Sequence, residues 1–413
     1  MADDGDAAAA CREDMTTSVR LAPSWPHARP AHNAVSPPTL TPTMSASPRP
    51  LRHARSAAAC RALLAALLTS LAACTEHVPK GDPIKSSIVF GGLGDTPGHF
   101  AYPRAMTPDP DTNSLWVIDK TARVQQIDAT TGGCLTLWKM PLTDNGKPTG
   151  CTLSKDPAGH TLVYIPDTHY HRVMIYRPTP PERTADGDPV RHTDQPELVG
   201  SFGEYGAGPG QFIFPTDVAI LPTPGGLGVE RIYVSEYGGN DRVSVFDAGY
   251  LFLFSFGTFG ASSDAATIEF DRPQSLAVVD VHTSQGHSEK QVIVTDSRNH
   301  RVGRFSLDGK LIAWMGAPDG PGDGPGEFRI PYGLEPLGDG TILVTELGNN
   351  RLQRIELATG QGLGTWGRPG RSDGELASPW ASAVIGKTTY VLDTGNNRVL
   401  GFPTPALKKR SRN

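Results

Sequence analysis

The sequence predicts an all-β fold assembled from repeated units, and three observations predict it. Glycine and proline number 46 and 37 among 413 residues, while only 7% are aromatic and 20% charged. So many turn formers exclude a helical bundle or coiled coil and favour short strands joined by turns. A short apolar strand ending in an acidic residue, then a turn, then Arg with an aliphatic residue, recurs six times. A second signature, an apolar residue separated by two residues from Pro, precedes five of the six. Four strands per unit and six units make a six-bladed β-propeller, whose radial closure leaves few open edges.

The chain begins with something else. Residues 1–43 are rich in Ala, Pro and Thr without apolar periodicity, a composition that cannot bury a core. Arg49, Arg52, Arg55 and Arg61 then lead into the apolar run from Ala62 to Leu71, followed by Ala72, Ala73 and Cys74. A basic stretch, a short apolar run and small residues before a cleavage point make a secretory signal, too short for the roughly 20 residues of a bilayer span. Leu71-Ala-Ala-Cys74 resembles the lipobox of bacterial lipoproteins, which implies cleavage before Cys74 and acylation of its sulfur and new N-terminus. Several acyl chains anchor stably where one anchors marginally. Met44 offers a second start, giving a thirty-residue signal. Thr75 follows the Cys, so the resemblance implies an outer-membrane protein facing the periplasm. The expected order is therefore an extension with signal over 1–73, a tether over 74–85, the propeller over 86–405 and a basic tail over 406–413.

Charge limits the partners. Seven Lys/Arg and five Asp/Glu precede Cys74, leaving 31 basic against 38 acidic groups, net −7, with four of the basic ones in the tail. No extended cationic face for nucleic acid is expected on such a body.

The six units run from Leu115-Trp-Val-Ile-Asp119 with Arg123, through Val163-Tyr-Ile-Pro-Asp167 with Arg172 and Ile232-Tyr-Val-Ser-Glu236 with Arg242, to Val292-Ile-Val-Thr-Asp296 with Arg301, Ile342-Leu-Val-Thr-Glu346 with Arg351, and Tyr390-Val-Leu-Asp393 with Arg398. Their arginines lie 49, 70, 59, 50 and 47 residues apart. The Pro signatures begin at Phe100, Phe212, Phe270, Phe328 and Leu376; the second unit has only Pro148-Thr-Gly-Cys151. Gly-rich loops such as residues 203–210 and 320–326 lie upstream, suited to turns with positive φ. The sixth unit stops after its third strand, and Ser87-Ile-Val-Phe-Gly91 is a strand without a unit. It is expected to supply the missing fourth strand and close the ring. The Asp-x-x-Asn-Asn-Arg-Val turn after a Tyr-Val strand, with the Phe-x-x-Pro entry and its Gly-rich loop, resembles the NHL repeat over roughly residues 86 to 405. The resemblance implies an NHL-type propeller and says little about activity.

Groups repeated in every blade are read as scaffold, because a site on a ring must break the symmetry. Each repeated carboxylate is expected to accept backbone N–H bonds and each Arg to bridge strands or blades. Site candidates are the unlike residues that follow the recurrent Pro: Arg104, Thr216 with Asp217, Gln274, Tyr332 and Trp380. One cation, two aromatics and amides around a channel mouth suit a peptide or small polar ligand.

His169 and His171 share a turn, and His171 and His300 stand where NHL-type α-amidating lyases, which the chain resembles in fold, place one of three zinc-binding histidines. Another of that family's ligands follows the recurrent Pro, where this chain has no histidine. Two imidazoles on non-adjacent blades need a carboxylate besides to look like a catalytic zinc centre, so zinc and calcium stay open and no cofactor is assigned. No nucleophile elbow, Walker loop or zinc-protease helix is present. With Cys74 lipidated, Cys134 and Cys151 remain for the exported body, and an oxidising compartment predicts a disulfide between the first two blades. Three polar or Gly/Pro-rich insertions, at residues 177–197, 222–230 and 282–290, are read as recognition loops or as decoration. The residues thus favour a cell-envelope binding or scaffold module for protein, peptide or glycan over an enzyme. The alternative is a metal-dependent lyase or hydrolase at the channel mouth.

Overall fold

A computed structural model of the chain describes residues 83–404, apart from 145–146, 186–188, 191–193 and 283–287. The signal, Cys74 and the basic tail lie outside the described residues. What is described is six antiparallel four-stranded sheets, two small two-stranded ladders and two short 3-10 turns. Blade 1 consists of Pro103–Asp109, Ser114–Asp119, Arg123–Asp128 and Cys134–Lys139, innermost strand first. Blades 2 to 5 follow in the same order, and their innermost strands are Thr152–Lys155, Phe214–Pro222, Pro273–His282 and Pro331–Pro336. Blade 6 takes Ala381–Ile385, Thr388–Asp393 and Arg398–Pro403 from its own repeat. Its fourth strand is Ile88–Gly91, paired antiparallel so that Ile88 faces Gly401 and Gly91 faces Arg398. The ring closes as the orphan strand predicts.

The core is divided among the blade interfaces. Six hydrophobic clusters occupy the six gaps, for example Val279, Val281 and Val302 of blade 4 against Phe328, Ile342 and Val344 of blade 5. A blade is therefore covered on both faces. That is why its second strand reads as an unbroken apolar run, buried at every position from Ser114 to Asp119 and from Thr341 to Glu346.

The repeated signature builds one face of the ring. In blades 1, 3, 4 and 5 the acidic residue at the end of the second strand lies opposite the Pro at the start of the innermost strand, as in Pro103 with Asp119 and Pro331 with Glu346. The acid meets its Arg at 2.5 to 3.1 Å in every blade. It also accepts the backbone N–H two residues before the Pro, from Ala101, Ile213, Asp271, Arg329 and Ala377. The Arg reaches on to carbonyls of the Gly-rich loop, as Arg242 does to Ala207, Gly208 and Gln211. The first residue of each Phe-x-x-Pro entry, from Phe100 to Leu376, is fully buried. Its ring sits so close to the loop glycine that a Cβ on Gly203 would lie 2.5 Å from Phe212, and Gly203 has φ +95° besides.

The residue before each Arg latches one blade to the next. Asn397, Asn350, His300 and Asp241 each accept the N–H of the residue preceding the next blade's Pro, from Tyr102, Ser378, Ile330 and Arg272. Blade 1 has Ala122 there, without a side chain to do this, and blade 2 lacks the Phe-x-x-Pro entry. The gap between those blades is filled instead by Trp116, Trp138, Met140, Met174 and Tyr176, with Trp138 packed 5.4 Å from Trp116 and 5.7 Å from Tyr176. Large adaptable side chains fill the place of the missing anchor.

The strand ends that carry the insertions lie on the other face. Residues 222–230, and the described ends of the 282–290 stretch at His282 and 288–290, extend the hairpins between the first and second strands of blades 3 and 4, away from the Pro end. Residues 177–197 carry the small ladder of Glu182–Arg183 with Pro189–Val190.

Candidate functional site

The channel along the ring axis is a cavity of about 230 Å³ lined by the innermost strands of all six blades. Strand pairing slips directly after the Pro in blades 1, 3, 4 and 5, and such bulges re-aim a side chain. Arg104, Asp217, Gln274, Tyr332 and Trp380 all line the cavity. Thr216 does not. Its side chain is fully buried between blades 3 and 4, with Oγ1 2.8 Å from the Pro273 carbonyl and 2.8 Å from Ser235 Oγ. It is a blade-to-blade tie, and Asp217 takes the channel position in that blade.

At the mouth, cations and aromatic rings alternate. The Arg104 guanidinium lies 5.7 Å from the Tyr102 ring and 5.4 Å from the Trp380 ring. Trp380 packs edge-on to Tyr332 at 4.9 Å, and Arg272 lies 5.7 Å from Tyr332 and 4.5 Å from Tyr237. Neither arginine has a carboxylate within ion-pair distance among the described residues; Arg272 Nε donates to Gln274 Oε1 at 3.2 Å. Burial pulls Arg104 below its usual basicity and pushes the Tyr332 hydroxyl up. Tyr102, Arg272 and Tyr237 escaped the sequence reading, which considered only the residue after the Pro. The residue before it also differs from blade to blade, and Tyr102, Arg272, Ile330 and Ser378 all have φ between 48° and 63° there.

Two carboxyl groups stand on the channel wall. Asp217 accepts from Ser275 Oγ at 2.7 Å and from the Val218 N–H at 2.9 Å, and burial pushes it up to about 7. Among the described residues Glu335 accepts only the Val384 N–H, at 2.9 Å, and burial pushes it up to about 8. Its signal in the sequence is a charge four residues after the Pro, where blades 3, 4 and 6 have Ala219, Ala277 and Ala383.

The cysteines do not pair. Cys151 is a free thiol on the channel wall, pushed up by burial, and the Cys134 thiol points to the Thr136 carbonyl at 3.3 Å. Cys134 opens the outermost strand of blade 1, whereas Cys151 adjoins the innermost strand of blade 2. Three strand spacings, about 14 Å, separate those radii, beyond the ~7 Å limit for bridged Cα atoms.

The histidines are engaged in the scaffold. His300 Nδ1 accepts the Ile330 N–H at 3.1 Å, and His171 Nδ1 donates to the Ile213 carbonyl while its ring packs 4.8 Å from Tyr205. They belong to blades 4 and 2. Among the described residues no three His, Cys, Asp or Glu side chains come together to hold a metal ion.

No family model matches the chain. NHL repeat-containing protein 3 of Mus musculus is 32% identical over 100 residues, and that of Homo sapiens 30% over 100 residues. Each match covers 24% of this chain and 26% of the relative, so the chain spans about a quarter of the length of the curated relatives it matches. Among solved structures, a streptogramin B lyase is 14% identical, with a TM-score of 0.45, over 79% of this chain and 90% of that one. A protein of unknown function from Bacteroides thetaiotaomicron is 14% identical, with a TM-score of 0.47, over 79% and 73%. Similarity at that level carries no argument about activity. The six blades, their shared acid–Arg turns and the two curated matches agree, and the chain is a six-bladed β-propeller of NHL repeats.

Proposed function

We propose that this chain is a lipid-anchored cell-envelope protein that works as a binding module, held at Cys74 and taking its ligand at the channel mouth. The observation that carries the binding role is the collar of Arg104 and Arg272 among Tyr102, Tyr237, Tyr332 and Trp380. Scaffold arginines in this ring are matched to carboxylates and carbonyls. Two that rest on aromatic faces without an acid serve no such role, and cations interleaved with rings are the chemistry of recognition. Protein, peptide or envelope glycan is the class of partner, and the acidic body argues against nucleic acid.

The test has two arms. Expression in a bacterium that acylates lipoproteins should place the chain in the membrane fraction with a lipidated Cys74, and C74A should release it. Capture from envelope extracts should retain a partner that is lost with R104Q or W380A. An unmodified Cys74 sinks the anchor, and capture indifferent to the collar sinks the binding role.

A further inference from the structure

The channel walls hold buried polar atoms that find no hydrogen-bond partner, and both are donors on neighbouring side chains. They are Arg104 Nε and Trp380 Nε1, and no other orphaned buried atom among the described residues belongs to a channel-lining side chain. Trp380 is only 7% exposed, so bulk water does not satisfy its indole N–H. A buried donor left unmade costs about 1–3 kcal/mol, and two side by side ask for an acceptor that the protein does not itself provide. The adjacent guanidinium sets the charge of that acceptor as negative. Its planar fork suits a planar two-oxygen group. Arg104 lines the cavity and Arg272 stands beside it at the mouth, and neither has a carboxylate partner among the described residues, so an anion is favoured there. Trp380 and Tyr332 supply flat apolar walls beside it. The space of about 230 Å³ would hold seven or eight waters at roughly 30 Å³ each.

We propose that the channel mouth binds a carboxylate carried on a small flat body, with Arg104 and Trp380 donating to its oxygens and the Trp380 and Tyr332 rings packing along one side of the body. This rests on the mouth being the binding site of the module. The deeper carboxyl groups do not oppose it. Asp217 and Glu335 are pushed up to about 7 and about 8 by burial, so at pH 6 both are largely protonated and do not repel an anion. The same chemistry occurs in a free sugar acid or aromatic acid and at the carboxyl end of a peptide.

The experiment is a titration of the full chain, labelled with 15N-tryptophan, followed by NMR at pH 6 through the Trp380 indole resonance assigned with W380F. Benzoate is expected to shift that resonance saturably and benzamide, its uncharged near-isostere, to bind at least about tenfold more weakly. R104Q should abolish the difference. R104K, which keeps the charge and loses the Nε donor, should weaken benzoate by about fivefold or more, with unchanged melting temperature confirming that both variants are folded. Glucuronate and acetylphenylalanine, run in parallel, separate a sugar acid from a peptide terminus; a stronger shift by acetylphenylalanine supports the proposal, and a stronger shift by the non-planar glucuronate overturns the flat body. Equal binding of benzoate and benzamide overturns the carboxylate, and phosphate binding as tightly as benzoate overturns the flat body. Absence of any shift with benzoate, glucuronate and acetylphenylalanine overturns the proposal altogether. If envelope capture still depends on Arg104 in that case, the binding module stands and only its ligand class falls.

Discussion

A carboxyl group on a channel wall behaves unlike the same group in a turn. Asp217 and Glu335 hold their protons up to about 7 and about 8 in the folded protein, whereas an unfolded chain releases them near 4. Between those limits the folded state binds more protons, so stability falls as pH rises through the window and levels off above it. Thermal unfolding should therefore give a higher midpoint at pH 5.5 than at pH 8.5. The double variant D217N/E335Q should flatten most of that slope, leaving a part from Asp296, pushed up to about 6. An unchanged slope in the variant would rule out these two groups. At His300 the outcome separates a latch from a ligand. Its φ of 56° is a conformation that Asn tolerates, and Asn350 and Asn397 do the same work in other blades. H300N should stay within about 0.5 kcal/mol of the parent protein, while H300A should lose about 1 kcal/mol, measured by urea unfolding. Much at this scale was hidden in the sequence. Arg104 and Trp380 stood out because they broke a repeat. Thr216 broke it equally and turned inward, because whether a bulged side chain faces the channel or the next blade depends on what that blade offers as a partner.

Turns, rather than strands, are what make one blade unlike another. In blade 5 the Arg351–Glu346 pair is almost wholly buried, and Arg351 also donates to the carbonyls of Asp323 and Glu327. In blade 2 Arg172 pairs with the buried Asp167 and lies 5.6 Å from the Tyr170 ring, and its own side chain is 24% exposed. Removing the Arg strands a buried carboxylate in either blade, at about 3–5 kcal/mol for a fully buried pair and less where water reaches the Arg side, as it does at Arg172. R351A should accordingly destabilise more than R172A in denaturant unfolding, and equal losses would refute this ranking. The sequence showed where blade 2 departs from the pattern, at Pro148-Thr-Gly-Cys151, but not how the gap is filled. Trp138 and Met140 come from the end of blade 1, so the repair is written in a neighbouring unit. The expected disulfide failed for a related reason: Cys134 and Cys151 are close in sequence and sit at opposite radii of their blades.

Closure is the property of the whole ring, and it was the most legible feature, because a leftover strand at the start answers a missing strand at the end. Phe90 of that strand packs into the cluster between blades 6 and 1. Deleting the chain through Gly92 should leave blade 6 open and lower the melting temperature by about 10 °C or more. A truncated protein that melts with the parent would show that closure contributes little. What the repeats could not convey is that the two faces differ in kind. The acid–Arg turns, Gly-rich loops and collar residues share one face, and the strand ends from which the three insertions leave share the other.

Since Ile88–Gly91 and Arg398–Pro403 are hydrogen-bonded neighbours, the first and last strands of the ring lie one strand spacing apart, about 4.8 Å. The order of blades along the gene is then a choice of phase on a circle. Joined by a short linker across that gap and reopened before Pro148, the same residues would read as six blades beginning with blade 2, none of them sharing a strand between its two ends. Such a permuted chain would carry the collar of Arg104, Trp380 and Tyr332 unchanged, with its new ends at the junction where Ala122 stands in place of a latching side chain.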